Sequence, residues 1–420
     1  MPGLSASLLA VALLSACGSS PAAPASDGGV LPPDDDGGVV IIGDDPTDQP
    51  LHDAGPDQLA VFAQGDTLFD RVFTAADGLG PVYIRQACSS CHDGARKGPG
   101  LVQKMALVQV DGVTPADDQG ALPYGNTARP YNAGGGLTPV GPPDGGLPSG
   151  VQLKLTIRIG PALFGRGYLE AISDDLILAG ETAQAARTDG IHGRVNRVAY
   201  RSQPNPDTTY HRHQPGDQNL VGRFGLKARQ PTLDDFAADA YQSDMGLTSA
   251  LRPTELKNPD GLLDDDKPGA DLDAATVNAV ADYMRLIEIP KRAAPDARGV
   301  ALFSQLRCDV CHQPTMRTRS DYPVQQLAGI DAPVYTDLLL HDLGKDLADG
   351  VTDESARSAE WRTAPLIGLR FQRSYLHDGR AKSIAAAIAA HGGQALPSAD
   401  GFAALGDEDK KRLTDFVGGL

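Results

Sequence analysis

The sequence predicts a mainly α fold of two related helical halves, with a large loop-rich insertion in the first. Three observations predict it. The pattern Gly-x-x-Leu-Phe occurs twice, as Gly65-Asp66-Thr67-Leu68-Phe69 and Gly299-Val300-Ala301-Leu302-Phe303, and each copy precedes a Cys-x-x-Cys-His unit. Segments at Leu233 to Met245, Ala274 to Ile287 and Ile384 to Ala390 carry apolar residues at a spacing of about 3.6, the period of one helix face. Between the cysteine units lies a long stretch whose part from Asp117 to Gly150 is rich in Gly and Pro, which favour turns.

The 420 residues, 41% hydrophobic and 22% charged, suffice to bury a sizeable core and to form more than one domain. The apolar stretch Leu8 to Leu14 is too short to span a bilayer and ends at small residues, so residues 1–16 read as a signal peptide. Leu14-Ser15-Ala16-Cys17 resembles the bacterial lipobox. That implies lipid on Cys17, a membrane-surface anchor without a spanning helix, and a periplasmic, outer-membrane-anchored protein. Residues 17–57 consist largely of Pro, Gly, Asp, Ser and Ala, a composition that cannot offset ordering entropy and reads as a disordered tether. The first domain is expected over 58–290, opening with the helical pattern Leu59, Val61, Phe62, Leu68 and Phe69, and the second over 291–420. A net charge of -17 repels phosphate, which excludes a nucleic-acid partner and suits a small basic redox donor or cytochrome.

The cysteine units have a mechanical reading. Two thiols at this spacing add across the vinyl groups of haem, and the adjoining histidine becomes the proximal iron ligand. Cys88, Cys91 and His92 would hold one covalently bound haem c, and Cys308, Cys311 and His312 a second. A thioredoxin-like pair would open a helix in a βαβ context, and a zinc site would want further Cys or His at close spacing. Neither context is present. With Cys17 at the signal boundary and four cysteines in these units, none of the five is left for a disulfide. The second axial ligand of each iron decides between electron transfer and chemistry. The histidines outside the two units are His52, His192, His211, His213, His341, His377 and His391.

Several motifs resemble the di-haem oxidoreductase family, a cousin of the bacterial di-haem cytochrome c peroxidases. They include Gly160-Pro161-Ala162-Leu163-Phe164-Gly165-Arg166-Gly167, Gly190-Ile191-His192-Gly193-Arg194 and Gly222-Arg223-Phe224-Gly225. Further along come Leu340-His341-Asp342-Leu343-Gly344, Glu360-Trp361-Arg362-Thr363-Ala364-Pro365-Leu366, Leu376-His377-Asp378-Gly379-Arg380 and His391-Gly392-Gly393. The resemblance implies two cytochrome c-like haem domains, in which the Phe of each Gly-x-x-Leu-Phe helix packs on a terminal helix. It also implies that His391, standing where the peroxidases have a methionine, ligates the C-terminal haem together with His312. Asp244 matches the carboxylate of the peroxidase distal segment, a candidate catalytic acid that assists O–O cleavage. Leu226 and Phe236 depart from the family, which has Trp and Gln at those positions. Gln372 and Ser374 replace the Thr and Pro of the peroxidases' calcium site, so no calcium is carried over. Arg362, Arg370 and Arg380 are candidates for pairing with haem propionates. Trp361 is read as packing, with electron transfer as the alternative.

The N-terminal iron is expected to be open or water-bound, the alternatives being His192, His211 or His213 folding back onto it. The resemblance thus implies an oxidoreductase in which a bis-histidine C-terminal haem relays electrons to an N-terminal haem that reduces peroxide or a related oxidant. Two other readings remain at this point: an electron carrier without a substrate site, and a haem-dependent oxygenase.

Overall fold

The computed structural model describes residues 45–92, 95, 101–119, 122, 124–137, 146–258, 262 and 269–420. The signal and lipobox residues, Cys17 among them, lie outside the described residues. Among those described, nine α-helices occur: α1 (Pro56–Asp70), α2 (Arg166–Ala171), α3 (Asp174–Ala185), α4 (Leu233–Met245), α5 (Ala274–Leu286), α6 (Ala297–Gln305), α7 (Ile384–Ala389), α8 (Leu396–Ala404) and α9 (Asp407–Gly419). Side-chain caps set several starts. Thr232, Asp273 and Ser383 accept from Asp235 N, Thr276 N and Ala386 N, satisfying donors that the first turn leaves unpaired.

The two Gly-x-x-Leu-Phe helices are used alike. α1 crosses α5 at Gly65, where an added Cβ would meet the Ala279 carbonyl oxygen at 2.4 Å. Similarly, α6 crosses α9 at Gly299, where a Cβ would sit 2.5 Å from that of Phe416. Glycine is needed at both crossings because the helix backbones come too close for a side chain. Aromatic rings fill the space beside each: Phe69 against Tyr283 at 5.4 Å, and Phe303 edge-on to Phe416 at 5.5 Å. The α1/α5 pair belongs to the main hydrophobic core with Phe73, Leu169, Tyr241 and Val277, whereas Leu302, Phe402, Leu413 and Val417 form a second core around α6 and α9.

The mainly α expectation is nevertheless wrong: among the described residues helix takes no more than 33% and strands take 15%, so the fold is mixed. The main reason lies in the insertion, where Leu101–Gln109 and Val151–Ile159 pair antiparallel over nine residues each. The Gly- and Pro-rich residues read as loop connect these strands. Long irregular runs account for much of the rest, tied down by buried polar groups. Arg285 pairs with Glu170 at 2.6 Å, Tyr322 donates to the same carboxylate at 2.8 Å, and the guanidinium lies 3.6 Å from the Tyr210 ring centroid.

Folded structure also begins before Gln58. Leu51 is buried and its N–H donates to the Leu286 carbonyl at 2.8 Å, so residues expected in the tether are packed on the end of α5. Residues 42–420 group into one compact unit. A short antiparallel pair, Leu340–Asp342 with Glu360–Arg362, sets His341 opposite Trp361 and fixes the wall of the site described next.

Candidate functional site

The C-terminal cysteine unit follows directly on α6. Arg307, at φ 64, turns the chain into the single 3₁₀ turn Cys308–Val310, and His312 N donates to the Cys308 carbonyl at 2.9 Å. That turn gathers Cys308, Cys311 and His312. His391 arrives from the end of α7, its N–H bound to the Ile388 carbonyl at 3.1 Å. All four line one cavity of about 280 Å³, otherwise walled largely by apolar side chains including Phe303, Leu366, Ile384, Leu413 and Val417.

Both imidazoles have the tautomer and charge state that a metal ligand needs. His312 Nδ1 lies 3.2 Å from the Tyr335 carbonyl oxygen and His391 Nδ1 lies 2.7 Å from that of Ala387. A carbonyl can only accept, so each Nδ1 carries the proton and each Nε2 keeps its lone pair. Burial pushes His312 down to about 4, the neighbouring His391 adding to the effect, and burial lowers His391 as well. Both rings are therefore neutral at pH 7, the form a metal requires.

At the N-terminal unit the chain again makes one turn, with Cys91 N and His92 N both donating to the Cys88 carbonyl at 3.0 Å. The His92 ring lies 5.9 Å from Phe69 of α1. The backbone also comes close to it: a Cβ added at Gly160 would approach His92 Cε1 to 3.0 Å. Burial, with a smaller contribution from the charge of Asp244, pushes the Cys88 thiol up to about 12 and Cys91 to about 11. Thiols so perturbed are poor nucleophiles, which counts against a thiol redox pair. Asp244 stands on the last turn of α4, its carbonyl accepting from Ile84 N at 2.6 Å. Burial lifts its carboxyl to about 6, opposed by the cations Lys104, Arg229 and Arg129 and reinforced by Asp239.

A family model described as "Di-haem oxidoreductase, putative peroxidase" matches residues 150–420. The chain belongs to the di-haem oxidoreductase family. Its first cysteine unit lies upstream of the matched residues. No curated protein matches the chain. Two solved structures are loosely similar. Hydrazine synthase of Kuenenia stuttgartiensis, studied under xenon pressure, shares 13% identity at a TM-score of 0.39, covering 93% of this chain and 99% of that one. A variant of the diheme peroxidase BthA from Burkholderia thailandensis shares 16% identity at a TM-score of 0.32, covering 79% and 71%.

Membership of the di-haem oxidoreductases implies two haem groups and a redox role. The residues present fit that cofactor at the C-terminal cavity on one further observation. Arg166 and Arg362 line it, both buried, and burial lowers them to about 9 and about 10. Such cationic groups match the carboxylates of a haem. Arg362 was a propionate candidate from the sequence; Arg166 was not, because only the fold brings α2 to this wall. Arg166 also donates to the Ala162 carbonyl and Arg362 to those of Gly225 and Thr363; Arg370 and Arg380 are exposed, Arg370 donating to the Lys291 carbonyl and Arg380 pairing with Asp378 at 2.6 Å.

The other histidines are engaged elsewhere. His192 Nδ1 lies 3.1 Å from the Gln184 carbonyl, His211 pairs with Asp234 at 2.9 Å, and His213 stacks on His211. His52 pairs with Glu288 at 2.7 Å. Cys311, Asp337 and His341 come together in a group that a metal ion could suit. Asp337 already binds His341 Nε2 at 2.9 Å and Gln184 at 2.7 Å, and against the cost of burial this pairing raises His341, favouring the protonated ring. Leu226 lines the C-terminal cavity, and Phe236 packs against Phe224 at 6.4 Å. The remaining histidine, His377, stacks on Trp361 with ring centroids 3.8 Å apart and planes 11° from parallel.

Proposed function

We propose that this chain is an exported, peroxidase-like di-haem cytochrome c with divided labour between its two sites. In this reading haem c is attached through Cys88 and Cys91 with His92 as ligand, and through Cys308 and Cys311 with His312 and His391 as ligands. Electrons enter at the C-terminal site, and peroxide or a related oxidant is reduced at the N-terminal one. The observation that carries the reading is an asymmetry. Two neutral imidazoles line the C-terminal cavity, whereas the partners of His192 are Gln184 and Gln394, His211 pairs with Asp234, and His213 stacks on His211.

Haem supplies one-electron iron chemistry, and an oxidant can bind wherever the protein leaves an axial position open. The protein's own groups do the rest. His312 and His391 stay neutral through burial, and two imidazoles favour a low potential suited to electron relay. Asp244, lifted by burial to about 6, holds a proton for part of the time near neutral pH and can give it to a bound oxygen atom. Lys104, Arg229 and Arg129 then steady the carboxylate left behind. Export and anchoring through Cys17 are supported by the lipobox-like residues, and a small basic donor by the net charge of -17.

Carbon monoxide titration of the fully reduced protein tests the division. The expected result is binding at one haem of two, abolished by no change at His391 but altered by changes around Asp244. Binding at neither haem, or at both, would overturn it. Cys17→Ser should move the exported protein from the membrane to the soluble fraction.

A further inference from the structure

We infer that the stacked pair Trp361 and His377 is the electron conduit between the two haem sites. The inference rests on the proposed two-site reading and adds the route. Both rings are buried, at 5% and 7% exposure, and both line the cavity that holds Cys308, His312 and His391. From there the path continues to the other site. The His377 carbonyl accepts from Ile159 N at 2.8 Å, and the next residue, Gly160, lies against the His92 imidazole. One ring stack, one hydrogen bond, one peptide unit and one close approach of backbone to ring thus join the C-terminal cavity to His92. Leu226, also on the cavity wall, offers no ring.

The surroundings fix how the pair conducts. Lys227 Nζ lies 4.0 Å from the Trp361 ring centroid and the Arg158 guanidinium 5.3 Å from it. Lys227 is fully buried and held in place by the carbonyls of Arg357, Ser358 and Glu360 at 2.7 to 2.9 Å. Asp349 and Asp353 balance these charges, pairing with Arg158 at 2.6 and 2.5 Å, and Asp349 also lies 3.6 Å from Lys227, so the ring is packed in a fixed, ion-paired wall. The indole N–H donates to the Leu347 carbonyl at 2.9 Å, which cannot take up its proton. Trp361 is therefore a bridge that the electron tunnels through. With haem c held at both units, the electron lost by the group at Cys308, Cys311 and His312 would be gained by the group at Cys88, Cys91 and His92, and the ring pair itself would gain and lose nothing. Peroxide, the oxidant of the proposed reaction, takes up two such electrons.

The test uses the full exported protein with both haems attached, reduced by a single electron in pulse radiolysis. Transfer between the sites is followed by freeze-quench EPR, which separates the two ferric signals. Trp361→Leu and His377→Leu should each slow transfer by about tenfold or more, equivalent to about 1.4 kcal/mol on the barrier. Trp361→Phe, which keeps a stacked ring, should retain most of the rate. A structural role alone would lower the melting temperature and leave the transfer rate unchanged, and an unchanged rate in either leucine variant with two haems bound overturns the conduit. A long-lived tryptophan radical in the wild type would overturn the tunnelling assignment. Carbon monoxide titration of the same samples reports separately on the division of labour, so each reading can fail alone.

Discussion

Asp244→Asn isolates what it costs to keep a carboxylate beside the N-terminal site. Burial lifts the Asp244 carboxyl from 3.8 to about 6, and that value already includes the attraction of Lys104, Arg229 and Arg129 and the repulsion of Asp239. A folded-state value above the unfolded one means that the folded protein holds the proton more tightly, so ionisation destabilises it. The destabilisation is absent below about pH 4, grows between about 4 and 6, and is complete above that. The interval is equivalent to about 3 kcal/mol. Asparagine cannot ionise, so Asp244→Asn should be more stable than wild type by up to about 3 kcal/mol at pH 7.5 and equal to it near pH 4. Urea unfolding of both proteins at the two pH values reads the difference directly. In the same variant, peroxide oxidation of the fully reduced protein should slow by about 10²- to 10⁴-fold, and the wild-type rate should fall as pH rises through about 6. A stability gain independent of pH would refute the burial argument. A pH-dependent gain with an unchanged peroxide rate would keep the burial and remove Asp244 from proton delivery.

Three further substitutions test other parts of the structure. His391→Met should leave both haems attached while raising the potential of the C-terminal haem, read by potentiometry and by the near-infrared band of a thioether ligand. An unchanged potential would assign the second ligand elsewhere. Arg285→Met strands the buried Glu170 carboxylate and should cost about 3–5 kcal/mol in urea unfolding, while Arg285→Met with Glu170→Gln should cost less. Gly65→Ala gains about 1 kcal/mol of helix propensity. It nevertheless places a Cβ 2.4 Å from a carbonyl oxygen of α5, so the midpoint of unfolding should fall, and a rise would mean the α1/α5 crossing is looser than described.

The helices were legible where short-range chemistry punctuates them. Leu233–Met245 is bounded by the Thr232 cap and by Gly246 at φ 72, and the apolar spacing inside points to one buried face. The twin crossings at Gly65 and Gly299 were visible as a repeated pattern because the same packing problem has the same solution in both places. The ribbon was missed although its second strand, Val151-Gln152-Leu153-Lys154-Leu155-Thr156-Ile157-Arg158-Ile159, alternates apolar and polar residues without a break. The Gly- and Pro-rich composition before it drew the reading toward loop, when it marks only the connection. Leu51 was misjudged for another reason: a lone apolar residue in a polar stretch gains its burial from α5, more than two hundred residues away.

The candidate sites divide along the same line between local and long-range information. Cys88, Cys91 and His92, like Cys308, Cys311 and His312, are fixed by spacing within one turn, so a sequence displays them fully. What surrounds them is assembled from distant segments. Arg166 on α2 and Arg362 beside Trp361 reach one cavity wall, although nothing in the residues around either signals a shared anion. The Trp361–His377 stack shows the limit most clearly. Read singly, an isolated tryptophan is most simply a core residue, and His377 is one histidine among nine. Their meaning depends on three contacts: ring on ring, the His377 carbonyl on Ile159, and Gly160 on His92. Gly160 is the informative member, because a Cβ there would press on the imidazole at 3.0 Å. Glycine at that contact lets the end of the strand Val151–Ile159 come up to His92, and the same strand carries Arg158 to the Trp361 ring. The ribbon absent from the helical expectation is thus the element that joins the two sites.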